Sequence, residues 1–495
     1  GSGNDTYFVD NLDVVIDAAG LDIVFSSALN FTLGAGIENL TLIGSATSGE
    51  GNSLGNTMIG NDFTNGFRGG AGNDIINGLG GIDQISGDDG ADQIDGGNGD
   101  DFLSGGAGND IIKGGDGNDF LDFLSPSNAV GVDAMSGGAG DDFYLVENAG
   151  DTVTELANQG YDTVSSFRTL TLSANVEQLY LQGISNLNGT GNALINTLFG
   201  NDGHNILDGA AGGDQMFGGN GNDTYIVDNL GDRAFEAGST GTDLVKASVS
   251  FRLTEGVENL TLTGAAAING KGNSLANMIL GNAAGNLIDG GKGADLMAGG
   301  VGNDIYVVDN AGDVVTESGS PAGGIDLVRS TVTYTMGTGL ENLELFGGAT
   351  IGGFGNGLGN KIAGNGAANA LEGGAGIDTL DGKAGADTLL GGTGADNFQF
   401  TVLAGGPDQI LDFTHLTDDI VVSASTFGGG LVAGGAVILT IGAAPVGAGI
   451  AQFVYNPATG NLGFDTNGST AGGGIVFATL TTLPVLSTAD FVVIA

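Results

Sequence analysis

Cysteine and tryptophan are absent from the chain, and only two of its 495 residues are histidine. Without cysteine there can be no disulfide, no thiol nucleophile and no thiolate metal site. Lysine and arginine are also scarce, since 11 of them stand against 58 aspartates and glutamates, which gives a formal net charge of −47 at pH 7. So acidic a chain repels nucleic acid and anionic membranes, and it attracts divalent cations.

Motifs for several common enzyme chemistries are missing as well. No HExxH zinc motif occurs, and none of the many GxG strings is followed by a Walker-type Lys-Ser/Thr pair. The two histidines, His204 and His415, are interpreted as exposed turn residues. The many carboxylates could form an acid pair for glycoside hydrolysis, but their regular spacing favours metal ligation. We therefore expect no enzymatic activity from these residues. Whether a catalytic domain precedes them is left open.

Glycine is abundant, with 99 of the 495 residues. Such a content is often found in disordered chains, but 41% of the residues are hydrophobic and they keep a strict register, which favours a folded protein. The chain has no apolar run of about 18 residues, so no membrane span is predicted. The chain opens on GSGNDTYFVDN without a signal peptide, and we interpret this start as a cut through a longer protein.

Six nonapeptides follow one another without a gap from Gly69 to Asp122. They read GGAGNDIIN, GLGGIDQIS, GDDGADQID, GGNGDDFLS, GGAGNDIIK and GGDGNDFLD. Each has glycine at the fourth place, aspartate at the sixth and an apolar residue at the eighth. The pattern resembles the G-G-x-G-x-D-x-U-x calcium-binding repeat of RTX proteins, and carboxylate oxygens are ligands suited to Ca²⁺.

The RTX resemblance implies a secreted protein with a parallel β-roll. In that fold the first six residues of a nonapeptide form a turn and the last three a strand, and two nonapeptides complete one coil. Residues 18 apart would then stack, so that Asp74, Asp92 and Asp110 line one edge and the row Asp83, Asp101 and Asp119 lines the other. The resemblance implies that each Ca²⁺ lies between stacked turns, held by two carboxylates and by turn carbonyls.

A larger repeat surrounds the nonapeptides. GNDTYFVDN at Gly3 recurs as GDDFYLVEN at Gly140, GNDTYIVDN at Gly221 and GNDIYVVDN at Gly302, and the last three starts are 81 residues apart. Each copy is followed by a GDxVxE-like segment and by alternating, β-branched strands such as VENLTL at Val257. These patterns predict an all-β fold, an elongated parallel β-roll or β-solenoid of repeated modules with a C-terminal β cap. The predicted domains are 1–139 with the long nonapeptide block, 140–220, 221–301, 302–394 and the cap at 395–495.

Paired variants of the nonapeptide carry asparagine in place of aspartate at the sixth place. They start at Gly51, Gly191, Gly272 and Gly355. An amide both donates and accepts hydrogen bonds but is a poorer cation ligand than a carboxylate, so we predict that these asparagines satisfy the turn backbone. In the short middle blocks, which have only two aspartate-type units, any site must borrow ligands from a neighbouring coil.

The predicted calcium ligands are the sixth-place aspartates of all aspartate-type units, including a pair of units from Asn128 to Leu145. They are Asp74, Asp83, Asp92, Asp101, Asp110, Asp119, Asp133, Asp142, Asp214, Asp223, Asp295, Asp304, Asp378, Asp387 and Asp396.

From about Ala395 the sequence resembles the segment that leaves the β-roll in serralysin-type RTX exoproteins. The matching strings are GADNFQF at Gly394–Phe400, DQILDF at Asp408–Phe413 and DDI at Asp418–Ile420. In that family the region is a compact β cap with an uncleaved signal for type I secretion, and the acid-then-apolar ending Asp490–Ile494 is part of the resemblance. A plain end cap for the solenoid is the alternative interpretation.

Two functions are consistent with these observations. The first is a secreted bacterial protein, extracellular or cell-surface associated, that folds on Ca²⁺ and has a structural, adhesive or surface-layer role. The second is the C-terminal folding and secretion region of a larger secreted enzyme, such as a protease, lipase or epimerase. A weaker third is ice or polysaccharide binding by a flat face. The partners implied are a type I exporter and, for the first function, further copies of the chain or a cell-surface polysaccharide.

Overall fold

A computed structural model describes residues 1–123, 131–236, 240–317, 323–445, 449–468 and 474–495. The chain divides into two compact units, Gly1–Val245 and Lys246–Ala495. The first residues of the predicted nonapeptide pair from Asn128 to Leu145 lie outside the described ranges. Within those ranges the structure is almost entirely β, as predicted, with one short α-helix and one 3₁₀ turn.

The first unit is built from short strands separated by turns. They are β1 (Thr6–Val9), β2 (Ile23–Ser26), β3 (Asn30–Thr32), β4 (Asn39–Leu42), β5 (Ser48–Glu50), β6 (Thr57–Asn61), β7 (Gly66–Ala71), β8 (Ile75–Gly80), β9 (Gln84–Asp89), β10 (Gln93–Asn98), β11 (Phe102–Ala107), β12 (Ile111–Asp116), β13 (Phe120–Leu121), β14 (Ala134–Ala139), β15 (Phe143–Val146), β16 (Thr152–Val153), β17 (Thr163–Ser166), β18 (Leu170–Thr171), β19 (Gln178–Leu181), β20 (Asn188–Thr190), β21 (Thr197–Phe199), β22 (Ile206–Asp208), β23 (Gln215–Phe217), β24 (Thr224–Val227) and β25 (Arg233–Phe235). The following strand, β26 (Leu244–Ala247), contains the division between the units.

Alternate strands of the first unit belong to different sheets, which is the geometry of a parallel solenoid. One sheet has the order β1-β2-β4-β6-β8-β10-β12-β14-β16, and a second runs from β3 through the odd-numbered strands to β25. In the long nonapeptide block Ile94 pairs with Ile112, and Leu103 with Ile85. These partners are 18 residues apart, so two nonapeptides complete one coil, as the resemblance implies.

The core of the block is the row of eighth-place residues. Ile76, Ile85, Ile94, Leu103 and Ile112 are each at most 2% exposed. Burial of such a side chain contributes about 1.5–3 kcal/mol, so each coil adds one apolar residue per face to a continuous core. The block's strands β8 to β12 are six residues long, because they continue into the first three places of the next nonapeptide. The three-residue strand implied by the resemblance is therefore too short here.

The second unit continues the same design. Its strands and helices are β27 (Phe251–Arg252), β28 (Asn259–Leu262), β29 (Gly270–Lys271), β30 (Met278–Leu280), β31 (Leu287–Asp289), β32 (Leu296–Ala298), β33 (Ile305–Val308), β34 (Val314–Val315), β35 (Leu327–Ser330), β36 (Tyr334–Thr335), β37 (Asn342–Leu345), β38 (Gly352–Phe354), β39 (Lys361–Ala363), β40 (Ala370–Ala375), β41 (Thr379–Asp381), β42 (Thr388–Thr393), β43 (Asn397–Phe400), β44 (Asp408–Ile410), β45 (Asp419–Ser423), α1 (Ala424–Phe427), β46 (Leu439–Ile441), β47 (Gln452–Asn456), β48 (Asn461–Asp465), β49 (Ile475–Leu480), a 3₁₀ turn (Thr488–Asp490) and β50 (Phe491–Ile494).

The end of the second unit departs from the solenoid pattern later than the sequence suggested. The strands β43, β44 and β45 still pair in parallel with the preceding coils, so the solenoid continues beyond Ala395 to Ser423. Within the part of the chain that the structure describes, antiparallel pairs appear only after that point, between β47 and β48 and between β48 and β49. The last strand, β50, pairs in parallel with β45.

The turns need left-handed backbone at the second place of the nonapeptide. Gly70 and Gly106 have φ of 103° and 97° there, and the same place holds Leu79 and Asp88 with φ of 74° and 69°. Positive φ is unfavourable for residues with a side chain, so these two repeats are strained where glycine is missing. Across the described ranges, no helix is both long and apolar enough to cross a bilayer.

Candidate calcium sites

The predicted ligand residues occupy one kind of position throughout the structure. Each sixth-place aspartate stands at the end of a turn, one residue before a strand, as Asp92 does before β10 and Asp101 before β11. Although they carry charge, all fifteen are at most 2% exposed. Buried charges occur in proteins when they are paired or bind metal, and the partners of these side chains therefore decide their role.

One oxygen of each carboxylate is held by the backbone of the preceding coil. The Asp74 N–H donates to Asp92 Oδ1 at 2.7 Å, and the Asp92 N–H donates to Asp110 Oδ1 at 2.7 Å. On the other edge Asp83 and Asp101 donate in the same way to Asp101 and Asp119. The predicted stacking of aspartates one coil apart is confirmed, and we call each such row a carboxylate ladder.

The second oxygen of most of these carboxylates has no hydrogen-bond partner although it is buried. These atoms are Oδ2 of Asp74, Asp83, Asp92, Asp101, Asp110, Asp119, Asp142, Asp214, Asp223, Asp295, Asp304, Asp378 and Asp387. A buried acceptor without a partner costs about 1–3 kcal/mol, and more when it is charged. Their number makes an accidental origin implausible, because native structures contain few such groups.

The space beside these oxygens is shaped by the first-place glycines. A Cβ on Gly87 would overlap Asp92 Oδ2 and would lie 2.6 Å from the Gly105 carbonyl oxygen of the next coil. The carboxylate oxygen and the glycine carbonyl therefore face the same small volume. Carboxylate and carbonyl oxygens are the ligands that Ca²⁺ takes, so the donor set fits this ion.

The buried carboxylates resist ionisation when no cation is near. Burial raises the pKa of Asp92 to about 6, and the neighbouring Asp74 adds to the increase. Burial also raises the pKa of Asp101 to about 7, with further contributions from Asp83 and Asp119. A bound divalent ion would reverse this effect, because it stabilises the charged form.

The asparagine-type turns satisfy themselves, as predicted. Asn56 Oδ1 accepts from the Asn52 N–H at 2.9 Å, and Asn56 Nδ2 donates to the Ile37 carbonyl at 3.1 Å. Asn52 Nδ2 donates to the Gly34 and Ile37 carbonyls. In an asparagine-type turn, an amide NH₂ group that donates hydrogen bonds therefore stands where an aspartate-type turn has a carboxylate oxygen without a partner.

Comparison with known proteins agrees with this geometry. The model of the RTX calcium-binding nonapeptide repeat matches residues 50–85, 68–103, 86–121, 190–225, 271–306 and 363–398. The chain carries RTX calcium-binding repeats. These repeats imply Ca²⁺ binding, and the matched ranges include every predicted ligand except Asp133 and Asp142. Which residues hold an ion, and how many ions bind, stays a prediction.

One curated relative shares a segment with the chain. The endo-1,3-1,4-beta-glycanase EglC of Rhizobium meliloti (strain 1021) is 38% identical over 86 residues, which is 15% of this chain and 18% of that protein. The similarity thus covers a small part of both sequences.

The carboxylate ladders extend beyond the RTX repeats to residues that sequence analysis missed. Asp110 and Asp119 donate across an insertion to Asp133 and Asp142, 23 residues further on, at 2.8 Å. The ladders then continue to carboxylates outside any nonapeptide, which are Asp151, Asp162, Asp232, Asp243, Asp313, Asp326, Asp408 and Asp418. The aspartate of each GDxVxE-like segment was a visible signal, because Asp151, Asp232 and Asp313 each lie 18 residues after the aspartate that donates to them. The spacing to Asp162, Asp243 and Asp326 is 20 or 22 residues, so those carboxylates gave no such signal.

In the short middle blocks, these additional carboxylates stand beside the sixth-place aspartates, where the sequence analysis required ligands from a neighbouring coil. The Asp214 N–H donates to Asp232 Oδ1 at 3.0 Å, and the Asp223 N–H donates to Asp243 Oδ1 at 2.7 Å. Both acceptors lie in the strand-type coil that follows the two RTX repeats. The structure therefore places a carboxylate of the neighbouring coil beside each middle-block aspartate.

Where an RTX block meets the following strand-type coil, three carboxylates converge. We call these groups the junction clusters; in each, ligand oxygens of the three residues lie within 4.8 Å of one another. They are Asp142–Glu155–Asp162, Asp223–Glu236–Asp243 and Asp304–Glu317–Asp326, and Asp5, Asp17 and Asp22 form a related group near the start of the chain. Burial, with added repulsion from neighbouring carboxylates, raises the pKa of Asp142 to about 8 and that of Asp162 to about 7.

The two histidines are separate from the ladders. His204 is exposed, and its Nδ1 accepts from the Asn222 N–H at 2.7 Å. His415 is half-buried, and its Nδ1 lies 2.8 Å from Oδ1 of the buried Asp490. The interpretation as an exposed turn residue therefore holds for His204, whereas His415 links its turn to the C-terminal segment.

Proposed function

We propose that this chain is a secreted calcium-binding RTX repeat protein that folds on extracellular Ca²⁺ and has a structural, adhesive or surface-layer role. The observation that carries the proposal is the set of stacked, buried aspartates, most of which have a second oxygen without a hydrogen-bond partner. The fold brings like charges together, and no lysine or arginine of the described ranges forms an ion pair with these aspartates, so an ion from solution is the natural partner.

The concentration of calcium would then decide where the chain folds. Extracellular calcium modules bind with dissociation constants on the order of 10⁻⁴–10⁻³ M, so millimolar calcium stabilises the folded state by mass action. In a cytoplasm poor in calcium the carboxylates of the ladders would repel one another. The coils that carry them would remain unfolded, and the chain would be competent for export through a type I exporter.

The repeated modules support a structural role over a single-site function. The same strand-type coil, with Tyr144, Tyr225 and Tyr306 at equivalent buried positions, returns in each module. Repetition multiplies any weak contact with a lattice or polymer into a stronger one. Self-association, or attachment to a cell-surface polysaccharide, is the activity we propose for the assembled chain.

Sedimentation velocity and circular dichroism on residues 1–495 test the proposal together. In chelator the aspartate-type coils should be unfolded, so the chain should sediment as an expanded monomer with a reduced β signal, and millimolar Ca²⁺ should produce a compact β protein that self-associates or binds polysaccharide. A β spectrum that is the same in chelator and in calcium at low salt would contradict the proposal. A calcium-folded protein that neither self-associates nor binds polysaccharide would contradict only the proposed role.

A second candidate is favoured by the similarity to the glycanase. In this alternative the chain is the repeat region of a larger secreted enzyme; the support is that 86 residues of the chain are 38% identical to a glycanase. Purified residues 1–495 should then show no cleavage of mixed-linkage β-glucan, whereas a chain extended by a catalytic domain would. Turnover by residues 1–495 that is lost on substituting one acidic residue outside the ladders would instead make this chain itself an enzyme.

Export information is proposed to reside in the C-terminal segment. The supporting observation is the resemblance of Gly394–Phe400, Asp408–Phe413 and Asp490–Ile494 to serralysin-type exoproteins. In a host with a type I exporter, the whole chain should reach the medium and a chain lacking the last residues from Asp490 should not. Equal export of both would refute this assignment.

A further inference from the structure

The junction cluster Asp142–Glu155–Asp162 combines residues from three successive segments. Asp142 ends an RTX turn, Glu155 ends the GDxVxE-like segment, and Asp162 precedes β17. The three side chains are 2%, 5% and 1% exposed, so each is more than nine-tenths buried. No lysine or arginine among the described residues forms an ion pair with any of them.

Hydrogen bonds fix the orientation of this cluster but leave oxygens without partners. The Asp119 N–H donates to Asp142 Oδ1, while the Gly137 N–H and the Tyr144 hydroxyl donate to Glu155 Oε1. Asp142 Oδ2 and Glu155 Oε2 are buried and have no hydrogen-bond partner. The cluster therefore presents preoriented oxygens with nothing in the protein to receive them.

Glycine leaves room beside these oxygens. A Cβ on Gly137 would overlap both Asp142 Oδ2 and the Tyr144 hydroxyl oxygen. The Gly137 N–H donates to the Tyr144 hydroxyl at 2.5 Å, so the tyrosine ring is held at the edge of the cluster. A side chain at this place would fill the volume that the carboxylates line.

The second unit contains the same arrangement. Asp304 Oδ2, Glu317 Oε2 and Asp326 Oδ2 are all buried without a partner. The Gly299 N–H donates to the Tyr306 hydroxyl at 2.5 Å and to Glu317 Oε1 at 3.1 Å. Two independent parts of the chain thus build the same group of three carboxylates beside one tyrosine.

The charge density of the junction clusters exceeds that of the ladder sites. A ladder site combines the carboxylates of two turns one coil apart, whereas three carboxylates converge in a junction cluster. Like charges at this separation cannot all remain ionised without a cation. The affinity of oxygen sites for Ca²⁺ increases with the number of charged ligands and the rigidity of the site.

We propose that the junction clusters Asp142–Glu155–Asp162, Asp223–Glu236–Asp243 and Asp304–Glu317–Asp326 form a second class of cation site, which binds Ca²⁺ more tightly than the RTX turns and prefers trivalent lanthanide ions. The inference deepens the proposed calcium-dependent function, since it assigns further ions to the same fold. It does not require that the turn sites be occupied.

Terbium luminescence tests the proposal on the whole chain. The chain has no tryptophan, and no tyrosine lies between Gly69 and Asp122, so terbium excited through tyrosine reports ions outside that block. Tyr144, Tyr225 and Tyr306 stand at the junction clusters, and Tyr7, which donates to Asp17, adds a separate contribution from the Asp5–Asp17–Asp22 group. We expect tyrosine-sensitised emission that saturates before the turn sites fill. The triple variant Glu155→Gln, Glu236→Gln and Glu317→Gln should lower this emission several-fold. Glu372→Gln, an exposed residue, is the matched control and should change nothing.

Two further variants keep the test decisive. Tyr144→Phe, Tyr225→Phe and Tyr306→Phe together retain every carboxylate, so terbium should still bind by equilibrium dialysis while the sensitised emission falls. Asp101→Asn should reduce the calcium bound and leave the emission intact. If the glutamine triple variant fails to fold, emission that is undiminished in the phenylalanine variant overturns the proposal, whereas a residual contribution through Tyr7 is expected.

The junction sites and the calcium-dependent function can fail separately. Undiminished emission in a folded glutamine triple variant, with loss of calcium in Asp101→Asn, would refute the junction sites and leave the proposed function standing. Absence of calcium binding in the unmodified chain would refute both.

Discussion

Aspartate-type and asparagine-type coils have the same backbone arrangement, but they differ in how the sixth-place side chain finds its hydrogen-bond partners. Asp92 Oδ1 accepts a backbone N–H from the preceding coil and its Oδ2 has no partner. Asn56 occupies the equivalent place, and its Nδ2 donates to the Ile37 carbonyl. The replacement of one oxygen by an NH₂ group therefore changes a turn that needs a cation into one that does not.

The alternation of the two types divides the solenoid into segments of different calcium dependence. Asparagine-type coils stand before the aspartate-type coils, and Asn56 and Asn65 donate their backbone N–H groups to Asp74 and Asp83. The first carboxylate of each ladder is thereby attached to a coil that is complete without metal. We infer that the asparagine-type coils provide the template on which calcium-dependent coils assemble.

Removal of calcium should have the largest effect, and it should be unequal along the chain. Hydrogen exchange with mass spectrometry in chelator should show complete loss of amide protection in residues 69–122, because every turn there leaves a buried carboxylate without a cation. Residues 191–208, which form asparagine-type turns, should retain more protection. Restoration by excess Ca²⁺ is the control, and equal protection of both segments in chelator would remove the distinction.

Acidification should partly replace calcium. The pKa values of Asp92 and Asp101 are raised in the folded state to about 6 and about 7, above the usual value of about 3.9 in an unfolded chain. Their contribution to stability is therefore complete below about pH 4 and is lost as the pH rises through 6 to 7. In chelator, urea midpoints should be higher at pH 5 than at pH 8.

In saturating calcium the trend should reverse, because protons compete with the ion for the carboxylates. Protection of the asparagine-type segment 191–208 serves as the internal control, since fewer carboxylates titrate there. A chelated protein that is more stable at pH 8 than at pH 5 would show that burial of the ladders does not govern the ion-free state.

Substitutions within the ladders should have a moderate effect that depends on the neighbours. Asp101 has a carboxylate on both sides, Asp83 and Asp119, whereas Asp214 has Asp232 on one side and Asn196 on the other. Isothermal titration should therefore show a greater loss of bound calcium for Asp101→Ala than for Asp214→Ala. Equal losses would mean that each aspartate acts alone.

The smallest effect is expected from extending a ladder by one residue. Asn196→Asp places a carboxylate beside Asp214 and removes the amide that donates to the Val176 carbonyl. The variant should bind additional calcium and, in chelator, should lose about 1–3 kcal/mol of stability for the lost donor. Asn186→Asp, at an exposed turn position, is the control, and unchanged calcium binding by Asn196→Asp would contradict the comparison.

The sequence predicted those features that follow from fixed spacing. The 18-residue coil, the eighth-place core row of Ile76 and Ile85, and the stacking of Asp92 on Asp74 all depend on the nonapeptide alone. The asparagine-type turns were also predicted, because the hydrogen-bonding capacity of an amide is a property of one residue.

Features that depend on strand pairing across variable segments could not be predicted from spacing. Asp133 and Asp142 stack on Asp110 and Asp119 across 23 residues, and Glu155 reaches Asp142 only because the strand-type coil returns to the same edge. The strain at Leu79 and Asp88 was not predicted either; both occupy the second place, where the other repeats of the block have glycine with positive φ.

The ladder bonds span loops of different length with little change in their own length. Donor and acceptor are 18 residues apart at Asp92 and Asp110, 20 at Asp142 and Asp162, 22 at Asp304 and Asp326 and 23 at Asp119 and Asp142, yet the N···O distances are all between 2.7 and 2.9 Å. Registration is therefore set by where a strand docks, not by how much chain precedes it. A foreign peptide placed between successive rungs would be carried outward at the coil edge, which makes the fold a scaffold on which sequence can be displayed at regular intervals.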